Sequence, residues 1–305
     1  MALATLSDAL AGRGVRVTRD ASIADLVTYR LGGPVAALVR VGSEAELTAV
    51  AEVVAEYRPP VLVVGRGSNL LVADEGFAGL GVVLDGVYDT VDLDRGAVTA
   101  GGAVALPVLA RRSAAAGLAG LEFLVGIPGS VGGAVRMNAG GHGRETREVL
   151  VRAWVSDLGA GGRPEARSVD DLAFGYRHSA LGDTDLVVRA EFGVTADDPA
   201  RCEERVAEIV RWRREHQPGG ANAGSVFRNP PDDSAGRLID ACGLKGLRSG
   251  GATVSDKHAN FIQAGAGARA ADVRDLVVMV QRRVESETGI HLVPELRLVG
   301  FGDRS

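Results

Sequence analysis

Residues 61–72 read VLVVGRGSNLLV, an apolar run that enters a polar glycine loop over residues 65–69 and then turns apolar again. A Rossmann site needs G-x-G-x-x-G between a strand and a helix, with an acidic residue about twenty positions later. Here the sixth position is Leu70, and the residues through Gly76 and Gly79 start no amphipathic helix, so that fold is excluded. What survives is the physics of the loop itself. Glycines let the backbone curve until successive N–H groups converge, Ser68 and Asn69 add short donors, and such a nest takes phosphate oxygens. In isolation the same loop fits a tight turn between two strands equally well.

Glycine density is highest over residues 117–143, GLAGLEFLVGIPGSVGGAVRMNAGGHG. So much backbone without side chains reads as loop or ligand-facing chain. Inside it, GIPGSVGGAVRMNAGGHG is a second polar loop, with Ser130, Gly132, Gly133 and Asn138. Two such loops can clamp the two phosphates of a large dinucleotide, although this one alone also fits a glycine-rich hairpin.

A chain of 305 residues is expected to divide into two domains. Hydrophobic residues at 46% and scattered charges at 24% exclude a disordered or fibrous protein. The net charge of -5 and the lack of a basic block argue against nucleic-acid or anionic-membrane partners. The start, MALATLSDALAGRGVRV, has no Lys/Arg-rich opening and is broken by Asp8, unlike a secretory leader. No segment is apolar enough to span a membrane. Cys202 and Cys242 stand in no metal or redox spacing, so reduced thiols and a cytoplasmic location are expected, with no metal.

Ser43 followed by Glu46 is a capping box opening a helix that ends before Pro59, with Leu47, Val50, Ala51 and Val54 on one face. Strands are expected over 61–64, 81–86 and 96–102, then a helix with Pro107 in its first turn and Gly117 beyond its end. Strands over 149–157 and 185–194 flank a turn. A helix from about residue 198 to Pro218 marks the expected boundary, giving domains 1–198 (core about 28–195) and 199–305. A short helix from Ser234 follows, then strands over 250–255 and 260–265. The last helix spans 270–288, with Val273, Leu276, Val277, Val280 and Val284 as its apolar stripe and Gly289 past its end. A final strand over 294–301 alternates Glu295, Arg297 and Val299 against Leu296 and Leu298.

Seven stretches in order, RLGGP, VVGRGSNLLV, GIPGSVGGAVRMNAG, GYRHS, AGSVFRNP, AGRLIDACGLKGLRSGGATVSDKHANFI and PELRLVG, resemble the UDP-N-acetylenolpyruvoylglucosamine reductase (MurB) family from about residue 28 to 301. The resemblance implies an α+β two-domain flavoprotein. Its FAD-binding domain would be of the vanillyl-alcohol-oxidase and p-cresol-methylhydroxylase (PCMH) type, followed by a smaller α/β substrate-binding domain. It implies non-covalent FAD held by Gly65, Arg66, Gly67, Ser68, Asn69, Leu70, Gly102, Gly126, Pro128, Gly129, Ser130, Gly132, Gly133, Asn138 and Gly140. It also implies NADPH as hydride donor and a UDP-sugar as small-molecule substrate, with no obligatory protein partner.

The reaction implied by the resemblance reduces the enolpyruvyl ether of UDP-N-acetylglucosamine to UDP-N-acetylmuramate for peptidoglycan. Hydride from flavin N5 adds to the terminal enolpyruvyl carbon, and the neighbouring carbon must then be protonated. By the motifs, Ser225 in AGSVFRNP matches the proton donor, Arg177 in GYRHS the carboxylate ligand, and Glu295 in PELRLVG completes the site. Tyr176, Arg213, Asn229, Lys257 and His258 are candidates for substrate contacts, with Arg228 beside them. The compact chain between GYRHS and AGSVFRNP resembles the shorter family type without an inserted tyrosine lid. Where relatives carry a tyrosine in a NAGAYG-like stretch, this chain has Gly141-His142. Two other readings compete: an oxidase of the same flavin fold, and a flavin-binding regulator without chemistry.

Overall fold

The computed structural model describes residues 3–94 and 96–302. Met1 and Ala2, which open the segment read above as no secretory leader, lie outside the described residues. The chain forms two compact units, and neither is one continuous segment: residues up to 21, 36–66 and 79–213 make the first, while 22–35, 67–78 and 214 onward make the second. The compact units do not part at the expected 198/199 junction. The helix Pro199–His216 buries Cys202 and Val206 among the first unit's core residues, so the chain leaves that core only after most of the helix has formed.

The first unit has two larger sheets, each with its own core, beside two short two-stranded ones. One sheet has the strand order Val17–Ser22, Pro34–Val41, Phe77–Leu84, Val61–Val63, and its last pair is parallel. Its apolar face meets the helix Glu44–Tyr57, which buries Leu47, Val50, Ala51 and Val54 as the spacing predicts. Ser43 caps that helix by accepting from the Glu46 N–H at 3.3 Å. The Glu46 carboxylate instead takes the N–H of Gly42 at 2.8 Å, one residue earlier than a standard capping box. The second sheet runs Glu165–Ser168, Leu150–Asp157, Asp185–Gly193, Ala97–Gly101, Val91–Leu93, antiparallel throughout.

Residues 117–143, expected as loop or ligand-facing backbone, fold in part. A 3-10 turn, Glu122–Gly126, buries Phe123, Leu124 and Val125, and a helix, Val131–Met137, buries Val131, Ala134 and Val135. Ser130 starts that helix by accepting from the Gly133 N–H. The apolar residues between the glycines supply a buried face, which offsets the low helix propensity of Gly132 and Gly133.

The second unit packs the helices Ala235–Ala241 and Ala270–Thr288 with an antiparallel sheet of Arg248–Ser249, Ala252–Val254 and Ile262–Ala264. All five residues of the expected stripe on the long helix are at most 1% exposed. Gly289 ends the helix in the left-handed conformation, φ 72°, and donates to Glu285 O. Its first turn is held from far along the chain: both carboxylate oxygens of Asp74 accept backbone N–H groups, of Ala270 at 2.9 Å and Ala271 at 3.0 Å. The final strand is shorter than its alternation suggested, Arg297–Val299, and pairs in parallel with Leu70–Val72. The N–H groups of Glu295 and Leu296 reach Val226 O, whereas that of Arg297 reaches Asn69 O. This change of partner breaks the two-residue period, leaving Leu298 exposed and Leu296 and Val299 buried.

A buried acid ties the 3-10 turn to the helix Pro199–His216. Glu122, 8% exposed, accepts from Arg205 through both Nε at 2.9 Å and Nη2 at 2.7 Å, and from the Gly120 N–H at 2.7 Å. Burial alone raises the Glu122 pKa; hydrogen bonds from its own backbone, from Arg205 and from Gly120 outweigh burial and hold the carboxyl below its ordinary value. A carboxyl depressed in the folded state adds stability above its unfolded pKa and loses it as pH falls through the folded value. Glu122→Gln is therefore expected to lower unfolding free energy by about 1–3 kcal/mol near neutral pH. Denaturant unfolding along a pH series should show the gap to the parent protein closing in the acid range.

Candidate active site

The first glycine loop presents a row of open donors. Val64 still donates to Val82 O in the sheet. The N–H groups of Gly65, Arg66, Gly67, Ser68 and Asn69 then donate to no acceptor among the described residues. Gly65 and Arg66 are exposed. Five consecutive free N–H groups on a curved, glycine-containing loop suit the oxygens of a phosphate diester. Gly67 has φ 60°, and a Cβ there would collide with Leu26 O, so the curve requires glycine.

The second loop abuts the first. A Cβ at Gly65 would strike the hydroxyl of Ser130. Ser130 is 2% exposed and its hydroxyl already caps the helix Val131–Met137, so it has no room to yield. Beyond Ser130 the donors are satisfied: Val131 reaches Val104 O and Gly132 reaches Gly102 O, both at 2.9 Å. The N–H groups of Gly129 and Ser130 reach no described acceptor. The open donors on this side are therefore those of residues 129–130 rather than those of the helix start. Gly102 has a packing reason instead, since its Cβ would collide with Val187 O.

Asn138 was expected among the cofactor donors. It is fully buried, and its amide is engaged inside the fold: Nδ2 donates to Glu145 Oε2 and Gly175 O, and Oδ1 accepts from the Arg147 N–H, all at 3.0 Å. It is not available to a ligand. Gly140 likewise faces protein, its carbonyl accepting from Arg177 Nη2 at 3.0 Å.

Arg177 sits in a two-residue turn closed by Gly175 and His178, whose backbones exchange hydrogen bonds at 3.0 and 3.2 Å. It occupies the left-handed region, φ 52°, unusual for a residue with a side chain. Its guanidinium lies 5.1 Å from the Tyr176 ring centroid, and Tyr176 is itself exposed. His142 also has positive φ, 53°, and meets the Trp212 ring edge-on at 5.0 Å. Burial, with the charge of Arg213, lowers the pKa of His142 and favours the neutral ring.

Ser225 and Glu295 belong to the second unit, where the structure brings their backbones together. Glu295 N donates to Val226 O at 2.8 Å, and Arg228 N to Val293 O at 2.9 Å. From the other side Asn260, 3% exposed, grips Phe227 twice, accepting its N–H at 2.9 Å and donating to its carbonyl at 2.8 Å. Asn69 Nδ2 donates to Glu295 O at 3.1 Å, so its side chain braces Glu295, a role not visible in the loop motif. The Ser225 hydroxyl donates to no described acceptor.

The weaker substrate candidates carry structural tasks. Asn229 Oδ1 accepts the Ala235 N–H at 3.1 Å, Lys257 Nζ donates to Arg214 O, and His258 Nδ1 accepts the Asn260 N–H at 3.3 Å. Burial and the charge of Lys245 lower the pKa of His258. The Nε of Arg228 is buried without a partner among the described residues.

Residues 216–299 match a family model described as UDP-N-acetylenolpyruvoylglucosamine reductase, C-terminal domain, and residues 35–161 match an FAD binding domain. A UDP-N-acetylenolpyruvoylglucosamine reductase of Paramagnetospirillum magneticum is 43% identical over 94% of this chain and 92% of its own length. The chain belongs to the UDP-N-acetylenolpyruvoylglucosamine reductase family. Another relative of that description, from Heliobacterium modesticaldum, is 44% identical over 90% of this chain and 87% of its own. The crystal structure of the family's enzyme from Thermus caldophilus superposes with a TM-score of 0.80 at 38% identity, covering 93% of this chain and 98% of that one. The family assignment and the FAD-domain match give the two-domain α+β flavoprotein fold that the seven motifs implied.

The contact between the loops generates a test. Gly65→Ala should leave the chain folded by circular dichroism while sharply lowering flavin content, read as the ratio of flavin to protein absorbance after purification. Full loading would show that the Gly65–Ser130 approach does not shape the cofactor site.

Proposed function

We propose that this chain catalyses NADPH-dependent, FAD-mediated reduction of UDP-N-acetyl-enolpyruvoylglucosamine to UDP-N-acetylmuramate in peptidoglycan precursor synthesis, in the cytoplasm. The observation that carries the reading is Ser225: an uncommitted hydroxyl beside backbone that Asn260 holds at Phe227 and the Glu295 N–H holds at Val226, in a chain of this family.

The free N–H groups of residues 65–69 and 129–130 would hold the FAD diphosphate. FAD held there would supply the hydride chemistry linking NADPH to the terminal enolpyruvyl carbon. Ser225 and Glu295 both belong to the second compact unit.

Arg177 receives the enolpyruvyl carboxylate. Its planar cation offers paired donors to a carboxylate whose negative charge grows as the neighbouring carbon becomes carbanionic. Ser225 Oγ gives its proton to that carbon, and Glu295 completes the hydrogen bonding around the reacting group. An ordinary serine is a weak acid, so its competence rests on position and on the basicity of the carbanion. Tyr176, Arg213, Asn229, Lys257 and His258 contact the sugar nucleotide. Asn229 does so through the amide nitrogen left over from helix capping, and His258 through Nε2.

Because Ser225 acts only after hydride reaches the substrate, Ser225→Ala should separate the half-reactions. Stopped-flow flavin absorbance is expected to show NADPH-driven bleaching at close to the parent rate. Reoxidation by the enolpyruvyl sugar nucleotide should slow by about 10²–10⁴-fold. Equal slowing of both phases would make Ser225 structural, and a parent protein whose reduced flavin is reoxidised by oxygen but not by the sugar nucleotide would point to an oxidase.

A further inference from the structure

Asn138 ends the helix Val131–Met137 in the left-handed conformation, φ 43° and ψ 53°. Its side chain lies on the same small frame as Arg177. One Nδ2 hydrogen bond goes to Gly175 O, the carbonyl that also closes the Arg177 turn by accepting from His178 N. The other goes to Glu145, and Oδ1 takes the N–H of Arg147. Two residues later Gly140 O accepts from Arg177 Nη2, and a Cβ at Gly140 would press on Arg177 Nη1 at 3.1 Å and on Arg144 O at 2.6 Å. The Asn138-Ala139-Gly140 stretch thus meets Arg177 at both ends: Asn138 at the base of its turn and Gly140 at the guanidinium.

We infer that Asn138 is a positioning residue for Arg177, fixing the turn at 175–178 so that the guanidinium is held ready for a carboxylate. The inference rests on the role proposed above for Arg177. A turn that keeps a non-glycine residue at φ 52° persists only where its surroundings over-determine it. The buried amide does so directly. A second anchor, Ser179 Oγ on Arg136 O at 2.6 Å, ties the far side of the turn to the same helix, so removing the Asn138 side chain loosens the turn without detaching it.

Two variants isolate the side chain from the helix end. Asn138→Gly keeps the left-handed backbone, which glycine adopts freely, and removes only the amide. Asn138→Asp keeps the shape and the acceptor for Arg147 N but, when ionised, has no donor for Gly175 O or Glu145. The groups facing an aspartate at this position are Glu145, which is paired with Arg147 at 3.0 Å, and Arg177 two residues beyond Gly175. Burial and the Glu145 carboxylate raise the pKa of such an acid, and its protonated form donates again.

In FAD-loaded protein, Asn138→Gly should leave NADPH-driven flavin reduction unchanged and slow reduction of the sugar nucleotide by about 10²-fold. That factor should shrink to about twofold or less in an Arg177→Ala background, as expected for two residues acting through one contact. Asn138→Asp should regain the second half-reaction as pH falls, and Asn138→Gly should not. Hydrogen exchange of the flavin-loaded protein gives a readout without turnover. The amides of 175–178 should exchange about tenfold faster in Asn138→Gly, with those of Ala270–Thr288 unchanged.

A full multiplicative effect on top of Arg177→Ala, a flat pH response for Asn138→Asp, or unaltered exchange at 175–178 would each overturn the inference. If Asn138→Gly fails to fold, the pH response of Asn138→Asp decides. If the parent protein does not reduce the sugar nucleotide, the reductase reading falls, and the exchange comparison alone decides whether Asn138 holds the turn.

Discussion

The approach of Gly65 to Ser130 is the constraint on which the cofactor side of this molecule depends. Two loops some sixty-five residues apart in sequence meet with no room for a single methyl group between them. That closeness excludes a side chain at Gly65 and leaves the Ser130 hydroxyl in its capping position, while the N–H groups of 65–69 and 129–130 meet no acceptor among the described residues. A glycine-rich sequence usually signals freedom. Here the glycines permit close contact between loops.

Around Arg177, Ser225 and Glu295 a different rule holds, in which asparagine amides hold the backbone by its carbonyls and N–H groups. Asn260 grips Phe227, Asn69 supports the Glu295 carbonyl, and Asn138 supports Gly175. Each asparagine sits one or more residues away from the group it serves. An amide suits this work because it offers donor and acceptor at once without a charge to desolvate.

Much of the fold was legible in the sequence because its signals are local. Ser43, the stripe from Val273 to Val284, and Gly289 each define an element through neighbours within a few residues; the stripe and Gly289 appear as read, and Ser43 caps its helix although the Glu46 carboxylate turns to Gly42. The missing third glycine after residue 67 correctly excluded a crossover helix, since Leu70–Val72 is a strand. What could not be read depends on partners far along the chain. The helix hidden in residues 131–137 needed the apolar positions to be weighed against the glycines. The end of the alternation at Leu298 needed knowledge that Arg297 would switch to Asn69. Within the site, motif matching named Arg177, Ser225 and Glu295, but a motif cannot tell a residue that meets a ligand from one that holds the residue that does. Asn138 and Asn69 lie in the glycine motifs and turn inward.

The second unit takes its pieces from both ends of the chain, and this has a consequence for synthesis. Tyr29 donates to Ile262 O across 233 residues, and Asn69 to Glu295 O across 226. On a ribosome adding about 5–20 residues per second, the segments 22–35 and 67–78 wait roughly 10–50 s for their partners. Throughout that interval Leu71, fully buried in the finished protein, has no strand to pair with. The nascent chain therefore carries an unpaired apolar edge for most of its synthesis, a template for unwanted strand pairing until the C-terminal segment arrives.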